Sequence, residues 1–173
     1  YDLFENLLEW SRSQQGAIEY NPEKINLSAT LSQVLGVYKE YAREKNQELK
    51  NNVSGDLEVY ADQNMLKTVL RNLINNAIKF THEHGKVEVA AQHINGQVTM
   101  TIEDNGVGMT QSEKERLFAL ADQHRSRGTK KERGSGLGLI LCKEFIERQG
   151  GNIWVESQKG KGSKFFFTLP VYQ

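Results

Sequence analysis

The chain has 173 residues, about one domain's worth at roughly 150 residues per domain, and its 38% hydrophobic residues with 15 glycines bring the apolar share to about 47%, enough for a core but not for several domains. Twenty-two Lys+Arg balance 22 Asp+Glu, which excludes an overall basic field for nucleic acid or anionic membrane, so any polyanion must be met locally. The single Cys142 excludes an internal disulfide and a Cys-based zinc site and fits a reducing compartment, while the absence of any apolar run near ~18 residues and of a signal-peptide pattern in residues 1–20 leads us to expect a soluble chain.

In chain order, Leu3, Phe4, Leu7, Leu8 and Trp10 recur at helical spacing among polar residues, predicting an amphipathic helix over residues 1–18. Asn21-Pro22 ends the polar stretch that follows and sets a domain boundary near residue 21. The leading helix either packs on its own domain or belongs to an intermolecular bundle. From Ser28, as N-cap, a helix runs to about Lys45 with Leu31, Val34, Leu35, Tyr38 and Ala42 on one face. Short strands are expected over residues 47–53 and 57–60, and Asp62 caps a second helix that reaches Phe80. Residues 86–94 and 97–103 read as strands joined by Asn95-Gly96, a dipeptide that accepts positive φ at both positions and closes a tight hairpin. A third helix over 137–149 precedes strands at about 151–157 and 164–169, with Gly160 and Gly162 between them. The fold class is α/β, a two-layer sandwich of a mixed, largely antiparallel sheet against three helices. Residues 118–134 fit neither period and carry Arg125, Arg127, Lys130, Lys131 and Arg133, as a functional lid or a disordered insert would.

Three short stretches carry chemistry. On the second helix, Leu66, Val69, Leu70, Leu73, Ala77 and Phe80 form the buried face, while Asn72, Asn76 and Lys79 form a separate stripe at its border. Asparagine is a mediocre helix former with an amide to satisfy, so either the stripe is a solvated flank or something polar lies against it. A carbonyl oxygen there suits a hard cation such as Mg²⁺, and the lysine suits a phosphate. The second stretch is Asp104-Asn105-Gly106-Val107-Gly108-Met109, directly after a strand. Its glycines allow close backbone approach to a flat ligand and its carboxylate could accept from an exocyclic amine, although an ordinary Asx turn explains Asp104 and Gly106 as well. The third, Gly134-Ser135-Gly136-Leu137-Gly138-Leu139, opens a helix whose free amides would cradle phosphate. It is GxGxG, not the dinucleotide GxGxxG, and no GxxxxGK[ST] occurs, so Rossmann and P-loop readings are poor.

The order and separation of NLINNAIKFT at 72–81, DNGVGM at 104–109, a lid with Phe118, and GSGLGL at 134–139 closely resemble the ATP-binding catalytic domain of sensor histidine kinases. That domain belongs to a superfamily shared with gyrase, heat-shock chaperones and mismatch-repair ATPases. The resemblance covers about residues 22–170, and residues 1–20 look like the tail of a dimerisation and phosphoacceptor helix with its linker; residues 21–173 would be the catalytic domain. It implies a Bergerat-type sandwich with Asn76 ligating Mg²⁺, Asn72 and Lys79 holding the phosphates of ATP as catalytic residues, and Phe80 near the nucleotide. Asp104 would accept from adenine N6, Gly106 and Gly108 would shape the base pocket, and Gly134, Ser135, Gly136, Leu137 and Gly138 would present amides to the phosphates. Thr168 matches a hydroxyl position supporting the aspartate. Hydrolysing relatives carry a glutamate where this chain has Asn72, a poor base, so hydrolysis should be slow and transfer to an imidazole favoured.

Two departures from the family pattern stand out. Ala121 and Gln123 occupy places where the lid often has a second aromatic and a basic residue, and the chain lacks a histidine followed by an acidic residue within an apolar helix. His82, His84, His93 and His124 read as structural or solvent-facing, so the phosphoacceptor must lie on a separate domain. The resemblance implies two-component signalling: phosphoacceptor helices of the same protein and a response regulator receiver domain as partners, no nucleic acid, a monomeric fragment, and a homodimeric, often membrane-anchored parent with this domain in the cytoplasm. The competing readings are a nucleotide-dependent interaction module without phosphoryl transfer and a serine kinase of the anti-sigma type.

Overall fold

The computed structural model describes residues 19–53, 55–118, 129 and 136–172. The expected helix over 1–18, Ala121, Gln123, His124 and the basic residues of the lid therefore lie outside the described residues. Strict alternation builds the centre of the sheet. In β5 (Gln97–Asp104), Val98, Met100 and Ile102 are buried at every second position, and in β4 (Lys86–Ile94), Val87 and Val89 do the same. The two strands pair antiparallel from Val87↔Asp104 to Ile94↔Gln97, and their turn has Asn95 at φ 50° and Gly96 at φ 77°, the twin positive values expected of this dipeptide.

With β2 (Glu48–Asn51), β6 (Ile153–Gln158) and β7 (Gly162–Pro170), these strands form one five-stranded sheet in the order β2-β4-β5-β7-β6. Only the β2–β4 pairing is parallel. Parallel neighbours need a long crossover, supplied here by β3 (Glu58–Ala61) and the helix after it. A strand absent from the sequence reading, β1 (Glu23–Asn26), pairs antiparallel with β3 in a separate two-stranded sheet, and a bridge between Val59 and Val171 joins that ribbon to the end of β7. β1 escapes pattern reading because only Ile25 of its four residues is buried.

One face of the sheet is covered by α1 (Leu27–Glu44), α2 (Gln63–Phe80) and α4 (Gly138–Arg148), with α2 packed against both α1 and α4. Burial on two flanks widens the apolar arc of α2: Met65, Thr68, Ile74, Ile78 and Lys79 are buried along with Leu66, Val69, Leu70, Leu73 and Ala77, whereas Phe80 is half-buried. Asn26, two residues before the expected Ser28, caps α1 by accepting from the Ala29 amide at 2.9 Å. The Ser28 hydroxyl instead donates to the Gly55 carbonyl. A short helix that the sequence reading did not include, α3 (Gln111–Arg116), opens on a capping box: Thr110 accepts from the Glu113 amide, and Glu113 accepts from the Thr110 amide at 2.8 Å.

Asp62 holds the start of α2. Its carboxylate accepts from Asn64 N at 2.9 Å, Met65 N at 3.0 Å and Asn21 N at 3.0 Å, while its own amide donates to Gln149 Oε1 at 2.9 Å. One buried acid thus ties α2 to the chain entering the domain and to the end of α4. Asp62→Ala should lower unfolding free energy by about 2 kcal/mol or more, the upper end for an N-cap, because three amides lose their acceptor. Urea unfolding at pH 7 measures it, and a loss below about 0.5 kcal/mol would contradict this role.

Candidate nucleotide site

The polar stripe of α2 survives folding on its exposed border, where Asn72 and Asn76 are half-buried on one face. Asn72 Nδ2 donates to the Thr68 carbonyl at 3.0 Å, one turn back, which fixes its carboxamide along the helix. Lys79, the penultimate residue of α2, is only 8% exposed, and its Nζ lies 5.0 Å from the centre of the Phe80 ring. A cation over an aromatic face is held by the ring quadrupole, so Lys79 is positioned, not trailing in water.

Strand β5 delivers Asp104 to the same end of the domain. Its side chain is 6% exposed and accepts from the Gly106 amide at 2.9 Å and from the Ser163 amide. The first of these bonds is the Asx turn that the sequence allowed, and it coexists with a carboxylate whose further lone pairs can accept from a ligand. Burial pushes the Asp104 carboxyl up to about 6, Glu103 adds a smaller rise, and the two amides oppose it.

The loop after Asp104 is anchored on both sides. Val107 N donates to the Phe80 carbonyl at 3.0 Å, Gly160 N donates to the Val107 carbonyl at 2.8 Å, and Met109 N donates to Ser157 Oγ at 2.8 Å. The glycines are required by these contacts. A Cβ at Gly106 would collide with the Phe80 carbonyl, and one at Gly108, which has φ +58°, with the Gln158 carbonyl. The close approach is therefore to protein backbone, and these glycines let three segments of main chain meet. Gly162 was not among the expected site residues, yet it belongs here: at φ +98° its missing Cβ leaves room for the Asp104 carbonyl.

The register corrects one assignment. Thr168 pairs with Thr99, five positions along β5 from Asp104, and its hydroxyl accepts from the Asn152 amide at 2.9 Å. It holds the β6 edge and cannot support the aspartate. Ser163 is the residue opposite Asp104. Its hydroxyl lies 2.9 Å from that of Ser157, so it is part of the polar chain that also fixes the Met109 amide. Pairing between distant strands decides this, and only the register of β5 with β7 could have revealed it.

The third element is the start of α4. Leu137 stands at the N-cap with no side-chain cap bond, Gly136 has φ +73°, and Leu137 and Gly138 are buried. The first amides of a helix suit an anion. Gly134 and Ser135 lie outside the described residues. Phe118, at the start of the lid, is half-buried and packs against the core.

A sheet-backed helix with a polar stripe, a buried carboxylate at a strand end and a glycine-rich helix start together define an ATP-binding sandwich domain. The chain belongs to the histidine kinase-, DNA gyrase B- and HSP90-like ATPase family, whose model matches residues 61–173. The adaptive-response sensory kinase SasA of Prochlorococcus marinus (strain MIT 9215) is 38% identical over 177 residues, covering 99% of this chain and 46% of that protein. Full-length ShkA in complex with AMPPNP superposes with a TM-score of 0.85 at 29% identity, over 99% of this chain and 36% of that one. Histidine kinase ThkA in complex with response regulator protein TrrA gives 0.76 at 26% identity, over 99% of this chain and 48% of that one. The fold is thus that of sensor histidine kinase catalytic domains, and the chain spans about half the length of the curated relatives it matches.

The raised Asp104 value has a measurable consequence. The folded domain binds this proton more tightly than the unfolded chain, whose value is the ordinary 3.8. Its ionised form therefore costs stability above about pH 6, and the cost fades as pH falls toward 4. Without nucleotide, the stability of Asp104→Asn relative to wild type should rise by about 2 kcal/mol between pH 4.5 and 7.5. Urea unfolding at the two pH values checks this, and a pH-independent difference would contradict the burial of an ionised carboxylate.

Proposed function

We propose that the domain binds Mg-ATP between α2, the loop after β5 and the start of α4, and donates the γ-phosphoryl group to a histidine on a separate dimerisation and phosphoacceptor domain. The observation that carries this reading is Asp104, a buried carboxylate held by two amides at the end of β5 and retaining acceptor capacity for the exocyclic amine of adenine. Asn76 offers an amide oxygen half-buried on the same face as Asn72, and one protein oxygen with phosphates and waters is a donor set that suits Mg²⁺. That ion would neutralise phosphate charge. Asn72 and Lys79 would hold the phosphates, Phe80 would border the nucleotide, and the amides from Gly134 to Gly138 would receive the phosphate oxygens.

The residues present favour transfer over hydrolysis. Asn72 is uncharged and has its amide nitrogen engaged with Thr68, so it is no base for activating water. Phosphoryl transfer asks chiefly for alignment and charge neutralisation, which Lys79 and the helix-start amides supply. The attacking imidazole and its own proton acceptor would come from the phosphoacceptor helices, with a response regulator receiver domain taking the group next. In this account the parent is a homodimer of a two-component system and the domain works in the cytoplasm. Among the described residues no helix is long and apolar enough to cross a membrane.

Calorimetric titration with a non-hydrolysable ATP analogue should show binding that Asp104→Asn abolishes and whose Mg²⁺ dependence Asn76→Ala removes. Joined to its phosphoacceptor helices and given labelled ATP and Mg²⁺, the domain should yield an acid-labile phosphoprotein. Nucleotide binding with no phosphohistidine would leave a nucleotide-dependent interaction module. An acid-stable product would move the assignment to serine.

A further inference from the structure

Lys45 follows α1 and is only 6% exposed, a rare environment for a lysine. Its Nζ donates to the carbonyls of Ile78 at 2.9 Å and Lys79 at 3.1 Å, and to Thr129 Oγ1 at 2.7 Å. Thr129 sends its amide to the Lys79 carbonyl at 3.1 Å. Its hydroxyl proton has two acceptors in reach, the carbonyls of Lys79 at 3.1 Å and Thr81 at 3.0 Å. The last carbonyls of a helix have no partner within it and carry the negative end of its dipole. In α2 those of Ala77, Ile78, Lys79 and Phe80 are all met: Thr81 N and Oγ1 serve Ala77, Gln47 Nε2 joins Lys45 on Ile78, and Val107 N serves Phe80.

These bonds converge on the turn that carries Lys79 and Phe80. The Lys79 carbonyl is held by Lys45 and Thr129, and the next carbonyl, that of Phe80, ties α2 to the Gly106–Gly108 loop. We propose that Lys45 and Thr129 are positioning residues for nucleotide binding, a clamp from outside α2 that fixes its last turn and thereby aims the Lys79 side chain. The proposal rests on the Mg-ATP reading above and adds two residues to it, one before α2 and one in the segment between α3 and α4. Lys45 supplies two bonds to helix carbonyls and a third that orients the Thr129 hydroxyl as a donor. Removing that hydroxyl leaves the Thr129 amide and Lys45 on the Lys79 carbonyl, but it takes away the acceptor of the third Lys45 bond and the donor shared by the Lys79 and Thr81 carbonyls, which loosens the clamp.

The test is a double-mutant cycle read by calorimetry with AMPPNP and Mg²⁺, with thermal unfolding in parallel. Thr129→Val, close in shape and lacking the hydroxyl, should weaken binding roughly five- to tenfold, the scale of one lost hydrogen bond, and Thr129→Ser should restore it to within about twofold. In a Lys79→Ala background, Thr129→Val should change affinity less than about twofold, because the residue it acts through is gone. Lys45→Met should cost more affinity than Thr129→Val; should it fail to fold, the Thr129 variants decide the matter alone. Unchanged affinity in Thr129→Val, or an equal loss with and without Lys79, would overturn the proposal and leave a helix cap that serves stability only. Failure of the wild-type domain to bind AMPPNP would overturn the ATP reading and the clamp with it, whereas tight wild-type binding with an inert Thr129→Val overturns the clamp alone.

Discussion

At the end of β5 three stretches of main chain meet with no side chain between them. The Asp104 carbonyl faces Gly162, Gly106 lies on the Phe80 carbonyl, and Gly108 lies on the Gln158 carbonyl. Strand, helix end and hairpin turn are brought close enough for Val107 to bond both α2 and Gly160. A Cβ at any of the three glycines would force the segments apart. The Asp104 carboxylate is left with little exposure and a proton affinity raised to about 6, a combination that is common where a ligand completes the hydrogen bonding.

The same helix serves core and site because of where its polar stripe falls. Between α1 and α4, α2 buries most of its circumference, and only the Asn72–Asn76 border stays half-open. Asparagines on that border cost helix propensity, and Lys79 is drawn inward over Phe80 instead of extending into solvent. Its end is pinned: its last carbonyls are met by donors from before α2, from the segment after α3 and from the Gly106–Gly108 loop. In the proposed site, base side and phosphate side would therefore be joined through one helical turn.

Features set by neighbouring residues could be read directly from the chain. Asn95-Gly96 fixed the hairpin because both residues tolerate positive φ, and Asp62 marked the start of α2 because its carboxylate serves amides two and three residues on. The asparagine stripe and the DNGVGM loop were legible as motifs, and the structure brings Asp104 and Phe80 to one end of the domain through the Val107–Phe80 bond. What escaped was non-local. Lys79 read as a border residue because a helical wheel cannot show that α2 is flanked on two sides. Ser28 read as the N-cap because the sequence does not say that its hydroxyl is used by Gly55, leaving Asn26 to cap. Thr168 read as the partner of Asp104 because only the pairing of β5 with β7 shows that Ser163 stands there. Lys45 gave no signal: one lysine after a helix is ordinary until the carbonyls it meets are known.

The proposed site turns on the buried Asp104 carboxylate docking the base of the nucleotide. The most direct measurement is the titration of its side-chain carbon by NMR, with and without a saturating non-hydrolysable ATP analogue. Free, the group should titrate near 6; with nucleotide bound, the amine it accepts from should stabilise the ionised form and move the midpoint down by about a unit or more. An unchanged midpoint under saturation would mean that the base sits elsewhere and that the burial of Asp104 serves the fold alone.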